Sequence, residues 1–381
     1  MSGIYIHIPF CKQACHYCNF HFSTSLKLKE ALIAALVKEI HLTSITPSPH
    51  SMVAGKAICK TIYFGGGTPS ILEPRDLSLI FDALHSKFSI GDDVEITLEA
   101  NPDDISPGKL YSWKKAGINR LSVGIQSFLE GELLWMNRAH TVADSLRCID
   151  EIKDAGFSDY SIDLIYGSPL LSNEDWMYNV TTVIKKNIPH VSCYALTVEP
   201  KTALDKMIAR HKKAPVNEDV QAEQFMLLMD RMDQSGYEHY EISNFAKPGM
   251  RSKHNSSYWQ GKNYYGFGPS AHAYDGISRR WNIANNALYI RSLQNNCIPF
   301  EEELLTKTQR LNEYIMTSLR TMEGMDLEKV KKEFGEKYSE ALAVNSDKYT
   351  KTHKLQNIDS KLILTKDGKL FADGIAAELF F

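Results

Sequence analysis

The chain has 381 residues, 43% hydrophobic and 23% charged, with a formal net charge of −3. These are ordinary globular values, and with no Lys/Arg block longer than a pair they exclude an electrostatic footprint for nucleic acid. No stretch approaches eighteen apolar residues, so no membrane span is expected, and the apolar start Ile4–Ile8 is too short and lacks the basic leader of an export signal. A cytoplasmic protein is the expectation. Seven cysteines, an odd count in a long chain without export features, argue against a disulfide framework. Cys59, Cys148, Cys193 and Cys297 are scattered and read as small hydrophobes.

In chain order, strand and helix alternate regularly over the first two-thirds. Gly3–Pro9 is a β-branched and aromatic run, and the cysteines Cys11, Cys15 and Cys18 follow it. Leu28, Leu32, Leu36 and Ile40 recur every four residues, which predicts an amphipathic helix. Thr61–Phe64 is a short strand stopped by Gly65-Gly66-Gly67, and a helix from Pro74 to Lys87 starts with proline in its first turn. Strands are predicted at Val94–Glu99, Arg120–Gly124, Tyr160–Ile165 and His190–Leu196. Helices are predicted at Pro107–Ala116, Val142–Ala155 and Trp176–Lys186, the first two closed by Gly117 and Gly156. Six βα units with short connections predict an α/β fold, an open (β/α)6 partial TIM barrel whose gap admits a large ligand.

Beyond Leu196 the alternation stops. Glu218–Gln234 reads as a helix, Tyr237–Phe245 as a strand or loop, and residues 248–282, rich in Gly, Asn, Ser, Tyr and Trp, as a functional loop. From Cys297 the chain is helical and charged, including Leu327–Leu342. A hairpin is expected from Leu362–Thr365 and Leu370–Ala372 around Asp367-Gly368, with Asp373 capping a last helix. The expected organisation is a barrel over 1–245, a Gly/aromatic-rich connecting segment closing the site over 246–300, and a C-terminal helical, winged-helix-like domain over 301–381. Acidic residues balance basic ones in this last part, which favours packing on protein over binding DNA.

The chemistry concentrates in Cys11-Lys12-Gln13-Ala14-Cys15-His16-Tyr17-Cys18. Iron–sulfur clusters usually take four thiolates, one per iron. Three close cysteines without a nearby fourth would leave one iron open for chelation by an amino acid's amino and carboxylate groups. A zinc site with His16 or His21 as fourth ligand is the alternative reading.

CxxxCxxC after a first strand resembles the radical S-adenosylmethionine (SAM) superfamily signature. The wider segment YIHIPFC, with Tyr17 before Cys18, resembles the oxygen-independent coproporphyrinogen III oxidase family and its HemW branch, and the resemblance runs nearly end to end. It implies a [4Fe–4S] cluster on Cys11, Cys15 and Cys18. It further implies SAM held by the Gly65–Ser70 turn (Gly66, Gly67, Thr68) and by Glu99, Gln126 and a ribose-binding Asp163, with Tyr5 and the backbone of Tyr17 flanking it. Arg138, in Asn137-Arg138-Ala139-His140, suits a bidentate carboxylate clamp. The implied chemistry is reductive cleavage of SAM to methionine and a 5′-deoxyadenosyl radical.

Within the family an oxidative decarboxylase and a haem chaperone are the competing expectations. Oxidases carry a further Cys two residues past the third, where this chain has Phe20, and extend some fifty residues ahead of the loop, where this chain has ten. His254-Asn255-Ser256-Ser257-Tyr258-Trp259 matches the HNxxYW motif of the HemW branch, which makes His254 the candidate haem ligand, with His272 the weaker one. The expectation is therefore a haem chaperone with haem as cargo. Its partners would be a reductant for the cluster and acceptor haem proteins, among them membrane respiratory enzymes met transiently at the membrane surface, and its exposed loop could support a homodimer.

Overall fold

Ile4, Ile6 and Ile8 alternate with Tyr5 and His7 along the first strand, and the three isoleucines are fully buried while His7 is 4% exposed. A strand covered on both faces belongs in the interior of a parallel sheet. The structure, a computed structural model, describes residues 2–44, 52–53 and 56–381. Its main strands are β1 (Ser2–Ile8), β2 (Met52–Val53), β3 (Lys56–Gly66), β4 (Phe88–Ala100), β5 (Arg120–Gln126), β6 (Tyr160–Tyr166) and β7 (His190–Ala195). All but β2 lie side by side and parallel in chain order, and β2 is a short antiparallel addition to β3.

Helices Lys29–Leu42, Pro74–Lys87, Pro107–Lys115, Val142–Asp154 and Asn173–Lys185 cross over between these strands, and Glu218–Gln234 follows β7. Their starts are chemically marked. Thr141 and Asp144 form a reciprocal capping box, Ser106 and Ser172 cap through their hydroxyls, and Pro74 and Pro107 open their helices. The six expected βα units are present, and one hydrophobic core runs beneath them.

The segment read as a loop over 248–282 is not one. It holds helix Lys253–Trp259 and strands β10 (Tyr264–Phe267), β11 (His272–Tyr274) and β12 (Ser278–Asn282), after β8 (Glu238–Glu241) and β9 (Asn244–Ala246). With β13 (Phe300–Leu304) they extend the same sheet, in the order β13-β12-β11-β10-β1-β3-β4-β5-β6-β7-β9-β8. β10 runs parallel to β1, while β11, β12 and β13 add antiparallel, and the flanks keep the sheet open. Strands of three to five residues are too short to show a hydrophobic period, so their Gly- and Asn-rich turns dominated the composition.

The C-terminal part carries its own core of Leu311, Ile315, Leu319, Met325, Val330, Leu342, Leu362 and Leu379. Helices Lys307–Leu319, Leu327–Phe334 and Glu336–Lys351 pack with a sheet of β14 (Met325–Asp326), β16 (Lys361–Leu364) and β15 (Leu355–Ile358), a helical, winged-helix-like arrangement. The expected hairpin is displaced. Its turn is Asp359-Ser360, both at positive φ (50° and 62°), and Asp367-Gly368 instead lies in a helical turn capped by Thr365. Asp-Ser at left-handed angles makes a two-residue hairpin turn without the glycine that would announce it. Asp373 pairs with Arg320 at 2.7 Å, and Phe371 occupies the cap position.

One buried carboxylate ties the extension to the barrel. Glu39, fully buried on helix Lys29–Leu42, accepts from the Gly268 backbone N–H (2.8 Å), Asn282 Nδ2 (2.6 Å) and Tyr289 Oη (2.6 Å). Removing it strands three buried donors, each costing about 1–3 kcal/mol. Glu39→Ala is therefore expected to lose about 3 kcal/mol or more in urea unfolding, and Glu39→Gln, which keeps an acceptor, distinctly less. Equal losses in the two variants would contradict this.

Candidate functional site

The cysteine loop has no regular secondary structure, so its shape comes from contacts at its base and sides. Cys11 N–H donates to Ser23 O (3.0 Å) and Ser23 N–H to Pro9 O (2.9 Å), pinching the loop shut. The glycine turn after β3 clamps the same base, Gly67 N–H donating to Ile8 O (2.9 Å) and Thr68 N–H to Phe10 O (2.7 Å). A Cβ on Gly67 would lie 2.6 Å from Phe10 O and 2.8 Å from its nitrogen, so only glycine permits this approach. Further along, Asn137 donates to Ala14 O (2.7 Å), His16 N–H to Met136 O (3.1 Å) and Leu204 N–H to His16 O (2.7 Å).

The three thiols are free and half-buried, and they line one wall of a cavity of about 510 Å³ at the C-terminal ends of the parallel strands. The same cavity is lined by Tyr17, Gly66, Gly67, Thr68, Glu99, Gln126, Arg138 and Asp163, which the sequence had placed along six separate segments. Burial pushes the Cys11 thiol up to about 11 and raises Cys18, so thiolates gather here stably only against a cation. The histidines do not turn toward them. His16 Nδ1 is 3.0 Å from Trp135 O, and His21 Nε2 is 2.7 Å from Asn286 Oδ1. Among the described residues no three His, Cys, Asp or Glu gather around one metal-ion position. The donor set of three thiols and no imidazole fits an iron–sulfur cluster better than the zinc alternative.

Arg138 sits beside this wall. Nη1 donates to Cys15 Sγ (3.2 Å) and Tyr17 Oη (3.4 Å), and Nη2 to Asn101 Oδ1 and Gly124 O (both 2.8 Å). Both terminal nitrogens are thus engaged, so this conformation does not offer the expected bidentate carboxylate fork. Its buried Nε has no partner among the described residues. The fixed guanidinium instead places a positive charge next to Cys15.

Opposite lie two carboxylates. Glu99 accepts from Tyr63 Oη (2.8 Å) and the Gly66 N–H (3.1 Å), and burial, with Asp163 adding, raises it to about 7. Burial likewise raises Asp163 to about 6. Gln126 reaches the cavity because the β5–β6 register shifts after Val123 and its own backbone turns left-handed (φ 69°), re-aiming the side chain.

Two expected residues are placed elsewhere. Tyr5 does not line the cavity. It sits one layer behind, stacked on Tyr63 (6.2 Å) with Oη 3.1 Å from His7 Nδ1. His254, the expected haem ligand, is completely buried. Its Nδ1 is 2.8 Å from Thr61 Oγ1, its Nε2 is 2.8 Å from Tyr258 Oη, and its ring stacks on Tyr63 at 5.0 Å. Both nitrogens are occupied and burial lowers it to about 3, so in this conformation the ring presents no free nitrogen to a haem iron. Conversely, Asn101, Tyr63, Ser192 and Tyr194 join the site although the sequence did not single them out for it. Their signal was available: each lies at or near the C-terminal end of a parallel strand.

Gly67→Ala is expected to leave secondary structure intact while pushing the loop off the glycine turn. Anaerobically reconstituted variant should then carry well under half the iron and sulfide of the parent, read from its absorbance near 400 nm. Full cluster loading would show that the close approach is dispensable.

Comparison with known proteins agrees with this geometry. Residues 5–182 match the family model described as Radical SAM superfamily, and residues 305–371 match the HemN C-terminal domain. Heme chaperone HemW of Bacillus subtilis is 34% identical over 384 residues, covering 98% of each chain. Heme chaperone HemW of Escherichia coli is 34% identical over 277 residues, covering 71% of this chain and 69% of its own. Among solved structures, the radical SAM coproporphyrinogen III oxidase HemN of Escherichia coli superposes with a TM-score of 0.84 at 22% identity, covering all of this chain and 89% of its own, a likeness of fold. Three thiols and two carboxylates around one barrel mouth, with relatives matching end to end, make this chain a member of the HemW family within the radical SAM superfamily.

Proposed function

We propose that this protein is a haem chaperone that binds haem and delivers it to acceptor haem proteins, and that its barrel mouth holds a [4Fe–4S] cluster and SAM. The observation that carries the reading is the end-to-end likeness to proteins named heme chaperone, 34% identical over 98% of the chain. Phe20 supports it against the oxidase reading. It is 67% exposed at the cavity rim, in the place of the oxidases' additional cysteine.

Cys11, Cys15 and Cys18 would hold the cluster, leaving one iron for SAM. Arg138 offsets negative charge beside Cys15, and the Gly66–Thr68 turn offers close backbone approach. Glu99 and Asp163 would take the cationic and hydroxyl groups of SAM, with Gln126 completing its polar contacts. When bound, the pair supplies reductive cleavage of the sulfonium, the cofactors carrying the chemistry and the chain the positioning. Among the described residues no helix is long and apolar enough to cross a membrane. Acceptors in the membrane would be met at its surface, and pairing through the exposed loop is part of the same proposal.

Two measurements test this. With reconstituted cluster, SAM, reductant and coproporphyrinogen III under anaerobic conditions, no protoporphyrinogen is expected, while haem binds at one equivalent; catalytic turnover would overthrow the chaperone reading. The second follows from the raised carboxylates. A cationic ligand favours their ionised forms, so SAM binding at pH 6.5 should release protons, and affinity should rise from pH 5.5 and level off above pH 7 to 8. Calorimetry in buffers of different ionisation enthalpy reads the proton count, and a pH-independent affinity with no proton release would remove these two groups from the SAM site.

A further inference from the structure

A [4Fe–4S] cluster at the barrel mouth would take one electron from outside the chain for each sulfonium cleaved, so the outer wall of the cysteine loop matters alongside its thiol face. The segment after β7 packs on that wall. Its helix Ala203–Ala209 sets the fully buried Leu204 and the partly buried Ile208 with Tyr17, Trp135 and Met136, in a small apolar cluster separate from the barrel core. Polar contacts fasten the same segment to the middle of the loop. Leu204 N–H donates to His16 O (2.7 Å), and Lys213 Nζ is 3.1 Å from His16 Nδ1 while lying over the Trp135 ring at 4.0 Å. One hydrogen bond therefore links the helix backbone to the residue that follows Cys15.

The charge of this segment runs against that of the chain. Residues 199–213 hold five Lys or Arg against two carboxylates, in a protein of formal net charge −3. Lys201, Lys206, Arg210 and Lys212 are exposed, and none has an ion-pair partner among the described residues. The two carboxylates are engaged elsewhere: Asp205 accepts from the Lys201 backbone N–H (2.8 Å), and Glu199 lines the thiol cavity. The next acidic residues, Glu218 and Asp219, open the following helix, whose N-terminal dipole favours them. Lys12, earlier in the loop, differs in being spent on Asp103 (2.8 Å) and Asp104. The basic corner is also fixed in place. His211 takes a left-handed φ of 55°, its N–H donates to Ile208 O (2.9 Å) and Lys212 N–H donates to Met207 O (2.8 Å), the paired bonds of a Schellman motif. Next to the Trp135 that Lys213 covers, Leu134 is 70% exposed at the end of helix Glu130–Met136. An exposed apolar anchor beside fixed, unpaired cations suits an acidic protein partner.

We propose that helix Ala203–Ala209, the basic corner after it and Leu134 form the docking surface for an acidic electron-carrier protein, which reduces the cluster across the His16 side of the loop. The assignment rests on the reading that the barrel mouth holds a [4Fe–4S] cluster, and it adds the surface that feeds it. In the step itself the carrier loses one electron and the cluster gains it, with no bond formed or broken and no proton moved. Lysines would also favour an anionic membrane, but position favours the carrier. The patch is fastened to the one loop that has to receive an electron, and none of its exposed cations lines the thiol cavity, so a bound carrier leaves the cavity open.

The test uses the full chain with its cluster reconstituted anaerobically, and two probes in turn: a flavodoxin hydroquinone and a reduced low-potential ferredoxin, each of strongly negative net charge. Freeze-quench EPR reads how fast the reduced cluster forms, and calorimetry with the oxidised probe reads binding. In the parent, at least one probe should reduce the cluster, at a rate that falls about tenfold between about 50 and about 500 mM salt. The triple variant Lys206→Glu, Arg210→Glu, Lys212→Glu should lose about tenfold or more of the low-salt rate and most of the salt dependence. Dithionite should still reduce its cluster to the parental extent, which shows an intact loop. The same charge change at Lys332, Lys337 and Lys361, in the C-terminal part, should keep the parental rate, and Leu134→Ala should weaken probe binding severalfold. A parental rate in the first triple variant, or a parent that neither probe reduces, would overturn the docking surface. So would loss of binding to phosphatidylserine vesicles in that variant with electron transfer unchanged, which would make the patch a membrane contact. A parent with no EPR signal even under dithionite would overturn the cluster reading itself.

Discussion

Everything in the barrel mouth depends on a loop without secondary structure being held still. Cys11–Cys18 carries the chemistry, yet its own residues make few bonds to one another. It is fixed by the glycine turn after β3, where the absent Cβ of Gly67 lets two backbone hydrogen bonds reach Ile8 and Phe10. The glycines therefore serve two partners. One side of the turn grips the loop and the other opens onto the cavity, so loop position and ligand position are set by the same few backbone atoms. Strand β1 supplies the rest of the rigidity, being buried on both faces between β3 and β10.

The electrostatics of the mouth divide along the same line. Positive charge from Arg138 faces the thiols, and its four hydrogen bonds through the terminal nitrogens keep it there. The carboxylates Glu99 and Asp163 sit across the cavity in surroundings that favour their neutral forms. A ligand that brings a cation would recover the cost of ionising them.

The antiparallel extension is built into the same sheet as the barrel. Glu39 binds it to the barrel through three buried donors, and β10 continues the parallel sheet before β11, β12 and β13 reverse direction. In this arrangement His254 is buried against Tyr63 while His272, on β11, is exposed.

The spacing of Cys11, Cys15 and Cys18, the glycine turn in register behind them, and polar residues at successive strand ends were legible because each is a local pattern. Backbone geometry translates such patterns directly: six βα units put Gly66, Glu99, Gln126 and Asp163 at one mouth. The short strands of the extension and the Asp359-Ser360 turn were not legible, because pairing with β1 and β16 rather than any periodicity of their own makes them strands and a hairpin. Composition and order along the chain determined the barrel, the thiol wall and the family. Tertiary structure alone decided that Arg138 spends its fork on Asn101 and Gly124, that Tyr5 stands behind the cavity, that His254 is sealed and that His272 is not. Burial and hydrogen-bond partners for those residues come from segments far away in sequence, and no local pattern carries that information.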